Sequence, residues 1–152
     1  LDIIKYINDA SNEQIGLTLS EEVANWLNGC GDFFYALCMP RWAAAPLDEF
    51  ATTSARKYFT NKKEAYIGPF ADNMQNSPQL IKKAEQHLQT LNSLLKNKSA
   101  DKSLINVDDI EIYTILRGLS IVKNISYPNI VEGYRQQMAE LTKVPLNDDI
   151  AL

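Results

Sequence analysis

Two cysteines and one histidine are the residues of this 152-residue chain best suited to redox, nucleophilic or soft-metal chemistry. Cys30 and Cys38 match neither the C-x-x-C spacing of a dithiol nor a zinc site, which needs about four ligands. Both fall on the apolar stripe of a helix, where an unpaired cysteine behaves as a small hydrophobe. Buried, reduced thiols are expected, and with them a reducing, cytoplasmic compartment. His87 flanks an apolar helical seam with no second His and no nearby Cys, so a surface or half-buried role is expected. No metal site is expected either. The carboxylate pairs Asp108/Asp109 and Asp148/Asp149 read as helix-terminus and tail charges. Asp72 and Asp48/Glu49 lack a partner base. The chain contains no Gly-rich phosphate loop, H-E-x-x-H or G-x-S-x-G. Taken alone, these residues specify no active site.

The elements that would have to position such groups are helical. Ser20 N-caps a helix whose apolar residues, Val23, Trp26, Leu27, Cys30, Phe34, Leu37 and Cys38, recur every three or four positions, the mark of one buried face. Glu21 and Glu22 suit its first turn. Gly29 and Gly31 weaken it by up to about 1 kcal/mol each, which implies a close neighbour there. Pro40 should end or kink it. In "SARKYFTNKKEAYIG", a helix from Ser54 is expected, with Tyr58, Phe59 and Tyr66 inward, Lys57, Asn61 and Glu64 outward, and Gly68-Pro69 closing it. Four cations crowd into "ARKYFTNKKEA", residues 55–65, within a chain of net charge −4. Ser77 and Pro78 open the next helix, with Ile81, Ala84, Leu88, Leu91 and Leu95 as its seam.

After the polar loop "KNKSADKS", Asn106 and Asp109 form an N-x-x-D capping box, with Ile105 and Ile110 as its hydrophobic staple. The helix from 107 to about 123 is apolar nearly all round and should be central. Arg117 on it is expected to meet a buried or half-buried carboxylate. Pro128 opens the last helix, with Ile130, Val131, Tyr134, Met138 and Leu141 as its stripe, and the tail "VPLNDDIAL" can lie back on the bundle. No segment alternates as a strand does. The class is all-α, a bundle of five or six helices around a buried central one.

Composition agrees with one ordinary globular domain: 45% hydrophobic, 22% charged, with a pI near 5.0. A chain of this length buries roughly 70% of its unfolded surface and needs no disulfide or metal to fold. The acidic balance argues against a nucleic-acid partner, and no apolar run is long enough for a membrane span. The sequence opens on the apolar pattern "LDIIKYIN", within an element, so it reads as part of a longer protein.

"MPRWAAAPLDEFATTSARKYFTNKKEAYIGPFAD", followed by "DDIEIYTILRGLSIVKNISYPNIVEGYRQQMAEL", resembles the C-terminal helical domain of the bacterial glutaredoxin 2 family. The resemblance covers almost the whole chain and is carried by "PRW", "DEF", "ARKYF" and "KKEA" at fixed spacing. It implies a glutathione-transferase C-terminal-like helical bundle. It divides the chain into residues 1–8, the last helix of a thioredoxin-like domain, a linker over 9–19, and the helical domain over 20–152. It also implies a glutathione-dependent thiol–disulfide oxidoreductase as the parent protein, with the C-P-Y-C motif before Leu1. In this chain no residue would be catalytic and no cofactor bound. Glutathione would be a co-substrate of the parent, and the partners would be the thioredoxin-like domain and, through the parent, glutathionylated or disulfide-bonded proteins. Arg41, with Tyr35 and Trp42 beside it, is the expected set bordering the cleft or the interdomain face, where a positive rim favours a thiolate and the carboxylates of glutathione. The alternative is a stand-alone transferase-like module for protein interaction.

Overall fold

The computed structural model describes residues 2–11, 17–97 and 105–152, the side chains of 2–5 and 97 excepted. The side chains of Ile3 and Ile4, part of the linker and most of the polar loop before Ile105 lie outside the described residues. Within them the chain forms eight α-helices and no strand: α1 Asp2–Ala10, α2 Glu21–Cys30, α3 Phe34–Ala44, α4 Thr53–Ile67, α5 Phe70–Gln75, α6 Ser77–Asn97, α7 Val107–Leu119 and α8 Asn129–Thr142. The count exceeds the five or six helices expected, because the first long helix is broken and α5 gave no periodic signal.

Ser20 caps α2 by accepting from the Val23 amide. The break comes at residues 31–33, where Gly31 and Asp32 are poor helix formers, and not at Pro40. Helix α3 runs through Pro40 to Ala44, with Leu37, Cys38, Met39, Arg41 and Ala43 buried on both sides of it. Burial of these flanks offsets the lost backbone hydrogen bond. A Cβ at Gly29 would lie 2.5 Å from His87 Cε1, so α2 and α6 approach closely there. Gly31 has no comparable neighbour.

Helix α6 sends Leu80, Ala84, Leu88, Leu91 and Leu95 inward. Helix α7 packs between α2, α3 and α8, and Ile112, Leu116 and Leu119 on it are fully buried. Its N-terminus is closed reciprocally: the Asp109 amide donates to Asn106 Oδ1 at 3.0 Å and the Asn106 amide to Asp109 Oδ2 at 3.1 Å. The helix is not apolar all round. Ile110, the expected staple residue, is 45% exposed, while Ile105 packs against the core. Helix α7 also stops at Leu119, and Ile121 and Val122 are buried from the turns beyond.

On α8, Val131, Tyr134 and Met138 face inward, but Ile130 and Leu141 are exposed. The tail returns to the bundle: the Leu152 amide donates to the Ile121 carbonyl, and the Lys123 amide to the Leu152 oxygen. No helix among the described residues is long and apolar enough to cross a membrane.

Candidate functional site

Helix α3 has two chemically different faces, set by its period. Phe34, Leu37, Cys38 and Arg41 follow one another on the inner side, and Tyr35 and Trp42, seven residues apart, share the outer side.

The inner side is closed to solvent. Cys38 is fully buried, and its thiol donates to the Gly118 carbonyl at 3.3 Å. Burial pushes its pKa well above the ordinary thiol value, only partly opposed by the Arg41 charge. Cys30 is 2% exposed, donates to the Trp26 carbonyl, and is pushed up by burial to about 12. A thiol acts as a nucleophile or ligand through its thiolate, so neither cysteine is equipped for exchange chemistry. No group of His, Cys, Asp and Glu among the described residues could hold a metal ion.

Arg41, grouped in sequence with the cleft candidates, is turned inward at 4% exposure. Nη1 donates to the Leu37 carbonyl at 2.8 Å, Nη2 to Ser77 Oγ at 2.9 Å and Nε to the Leu152 oxygen at 2.9 Å. Burial lowers its pKa, partly offset by Cys38. Its visible role is to tie α3 to the start of α6 and to the tail.

Tyr35 and Trp42 do reach the outer side. Tyr35 is 40% exposed and Trp42 half-buried. Both lie edge-on to Phe34, at 5.3 and 5.9 Å between ring centroids. Phe34 in turn presses on Gly118 of α7, where a Cβ would fall 2.5 Å from Phe34 Cζ. From α4, Tyr66 adds an edge contact to Tyr35 at 6.4 Å. The result is an aromatic surface. Two hollows, one beside His87 and one beside Tyr127, touch none of these rings.

The basic stretch on α4 divides between the two sides. Arg56 turns in and donates to the Ala45 and Phe50 carbonyls, and Lys63 lies over the Phe59 ring at 5.8 Å. Tyr58 and Tyr66, expected inward, are exposed. Phe59 takes the inner place against Phe50 and Phe70. Glu64, expected outward, accepts from the Phe70 amide at 2.7 Å and joins α4 to α5. The helix is capped by Thr52, two residues before Ser54. A signal for the reversal existed in the sequence: Tyr58 stands four residues from Lys62, and Lys62 four from Tyr66, so all three share one polar ridge.

Arg117 donates to the Pro145 carbonyl and not to a carboxylate. The arginine with carboxylate partners is Arg135, 7% exposed, which holds Glu132 at 2.6 Å and Asp148 at 2.7 Å and lies over the Tyr127 ring. Asp148 is thus more than a tail charge. His87, half-buried, stacks on Trp26 and its Nε2 is 2.8 Å from the Trp26 carbonyl, a structural role.

Comparison with known proteins places this architecture. A family model described as the C-terminal domain of glutaredoxin 2 matches residues 22–151. Glutaredoxin 2 of Escherichia coli K12 is 35% identical over 154 aligned residues, which cover the whole of this chain and 71% of that protein. The glutaredoxin 2 of E. coli O157:H7 matches equally. Among solved structures, the 1.2 Å crystal structure of glutaredoxin 2 from Salmonella typhimurium in complex with glutathione superimposes with a TM-score of 0.89 at 32% identity, covering 99% of this chain and 70% of that one.

Proposed function

The chain belongs to the glutaredoxin 2 C-terminal domain family, and from that premise we propose that it is the accessory helical domain of a glutathione-dependent thiol–disulfide oxidoreductase. It packs against a thioredoxin-like domain bearing C-P-Y-C and borders that domain's cleft. The last helix of that domain lies in residues 1–8, which α1 extends to Ala10, the linker within 9–19, and the helical domain in 20–152.

The observation that carries this reading is the full-length match to relatives that extend well beyond the matched part, one of them in complex with glutathione. The burial of both thiols supports it, because the exchanging thiolate then has to come from outside the described residues. Glutathione serves the parent protein as co-substrate, and glutathionylated or disulfide-bonded proteins are its substrates. Tyr35 and Trp42 offer the aromatic rim of the cleft, and Arg41 holds α3 in place behind them. Two free, buried thiols suit a reducing cytoplasm.

The test is the intact mass of the natural polypeptide, a count of its alkylatable thiols, and its glutathione-dependent reduction of a small mixed disulfide. The expected result is a longer chain with at least two more thiols and turnover that the 152-residue chain by itself lacks. A natural chain of about 17 kDa with two thiols and no turnover would overturn the reading and leave a helical docking module.

A further inference from the structure

The outward face of α4 carries charge of one sign. Lys57, Tyr58, Asn61, Lys62, Ala65 and Tyr66 are all exposed and share it, two cations and no acid in a chain whose net charge is −4. Tyr58 and Tyr66 are 68% and 75% exposed, unusually open for rings of that size. Lys62 Nζ lies 5.7 Å from the Tyr58 ring centroid, so cation and ring form one unit. At the far end Tyr66 meets Tyr35 edge-on, which makes the ridge continuous with the α3 surface assigned to the cleft border.

We propose that this α4 ridge docks an acidic segment flanking the disulfide of a protein substrate, an inference that rests on the functional reading above. Exposed tyrosines are stiff, amphipathic anchors of the kind that dominate binding energy at protein surfaces. Lys57 and Lys62 supply the charge that selects and steers a carboxylate-rich partner. From Tyr58 to Tyr66 the helix rises about 12 Å. That length accommodates roughly four residues of extended chain, and because Tyr66 adjoins Tyr35 on the α3 surface, an acidic segment on the ridge would lie beside a half-cystine held at that border. The same face suits a covering domain less well, because the core of a permanent interface is depleted of charge. Two lysines are also too few to follow a phosphate backbone.

The experiment uses the polypeptide that contains this chain and its thioredoxin-like domain. Its substrates are two glutathionylated peptides, one with Asp and Glu beside the cysteine and one with Asn and Gln in their places. The expected result at low salt is a kcat/KM about tenfold higher for the acidic peptide. That preference shrinks with added salt and falls to near one in the Lys57→Glu/Lys62→Glu variant. No preference in the native protein, or a preference that survives charge reversal, overturns the proposal. So does protection of Lys57 and Lys62 from amine labelling in the longer polypeptide but not in the 152-residue chain, since a domain then covers the ridge. If neither peptide is turned over, the functional reading fails by itself. Docking is then read by titrating both peptides into the 152-residue chain: acid-dependent NMR shifts at Tyr58, Lys62 and Tyr66 sustain it, and their absence overturns it.

Discussion

Asp108, in the first turn of α7, reaches 88 residues back to receive both the main-chain amide of Ser20, at 2.8 Å, and its hydroxyl, at 2.9 Å. Ser20 meanwhile caps α2 through the Val23 amide. One carboxylate thus sets where the chain enters α2 and secures that helix end. With Asp108 7% exposed, its removal strands two donors in a site that water reaches poorly.

Asp108→Ala should therefore cost about 2 kcal/mol, the scale of buried hydrogen bonds to a charged group. Asp108→Asn should cost less, since it keeps one acceptor. Urea unfolding should show the midpoint drop, and amide exchange should quicken first at residues 20–24. Unchanged midpoints for both variants would show that Ser20 is satisfied by other means.

Arg135 anchors the tail through Asp148 and braces α8 through Glu132. Arg135→Ala should cost about 2 kcal/mol, chiefly through the buried stem and the tail contact it removes, since the carboxylates left behind are 40% and 45% exposed and water solvates them. Arg135→Met, which keeps the stem and its packing, should recover part of that loss. Thermal unfolding of the two variants measures the difference.

Burial works against ionisation of Glu132, but its hydrogen bonds to Arg135 and Gln136 outweigh that and hold its pKa below the usual 4.5. A depressed carboxyl stabilises the folded state fully above the unfolded value and ceases to do so as pH falls through the lower, folded value. Melting temperatures should accordingly decline below about pH 4.5, and less steeply in Glu132→Gln. Equal acid slopes in both proteins would remove Glu132 from the account.

Burial of the cysteines contributes to the alkaline limit. Cys30 is raised from 9.0 to about 12 by burial. Its contribution to stability is complete below pH 9 and is lost as pH climbs from 9 toward 12, where the unfolded chain releases the proton and the folded one retains it. At pH 8 neither thiol should react with a disulfide reagent until the protein is unfolded, when both should. Prompt labelling of the native chain would contradict the burial of Cys30 and Cys38.

Gly118 leaves room for Phe34 and Trp42. A methyl there meets Phe34 Cζ at 2.5 Å and Trp42 Cζ2 at 3.5 Å, and the Phe34 ring is enclosed by the core. Gly118→Ala should cost about 2 kcal/mol by overpacking and shift the Trp42 emission. Phe34→Leu in the same chain should relieve much of the strain. An unaltered emission spectrum would mean that the rings have space to retreat.

Much of this molecule could be read along the chain. The recurrence of Ala84, Leu88, Leu91 and Leu95 gives α6 and its buried seam, because a period near 3.6 puts such residues on one face wherever the helix later packs. Ser20, Asn106 and Asp109 declare helix starts through bonds that span three residues. Gly68, at φ +80°, declares an end. These are local relations, and local chemistry is what a sequence displays.

What the tertiary structure decided is partnership across distance. Nothing adjacent to Arg41 indicates that it would bind Leu37, Ser77 and Leu152, or that Arg135 and not Arg117 would take Asp148. Tyr58 and Phe59 are neighbours of similar size. Which of them goes inside depends on Phe50 and Phe70 arriving from other elements to receive one ring. Helix α3 persists through Pro40 for the same reason: burial on both flanks outweighs a hydrogen bond that local rules say is lost. Periodicity by itself determined most of the helical segments, α5 excepted, and the buried seam of α6. The side chains left facing outward, on which any cleft or docking surface depends, were settled only when the helices packed, since burial is a property of neighbours and not of spacing.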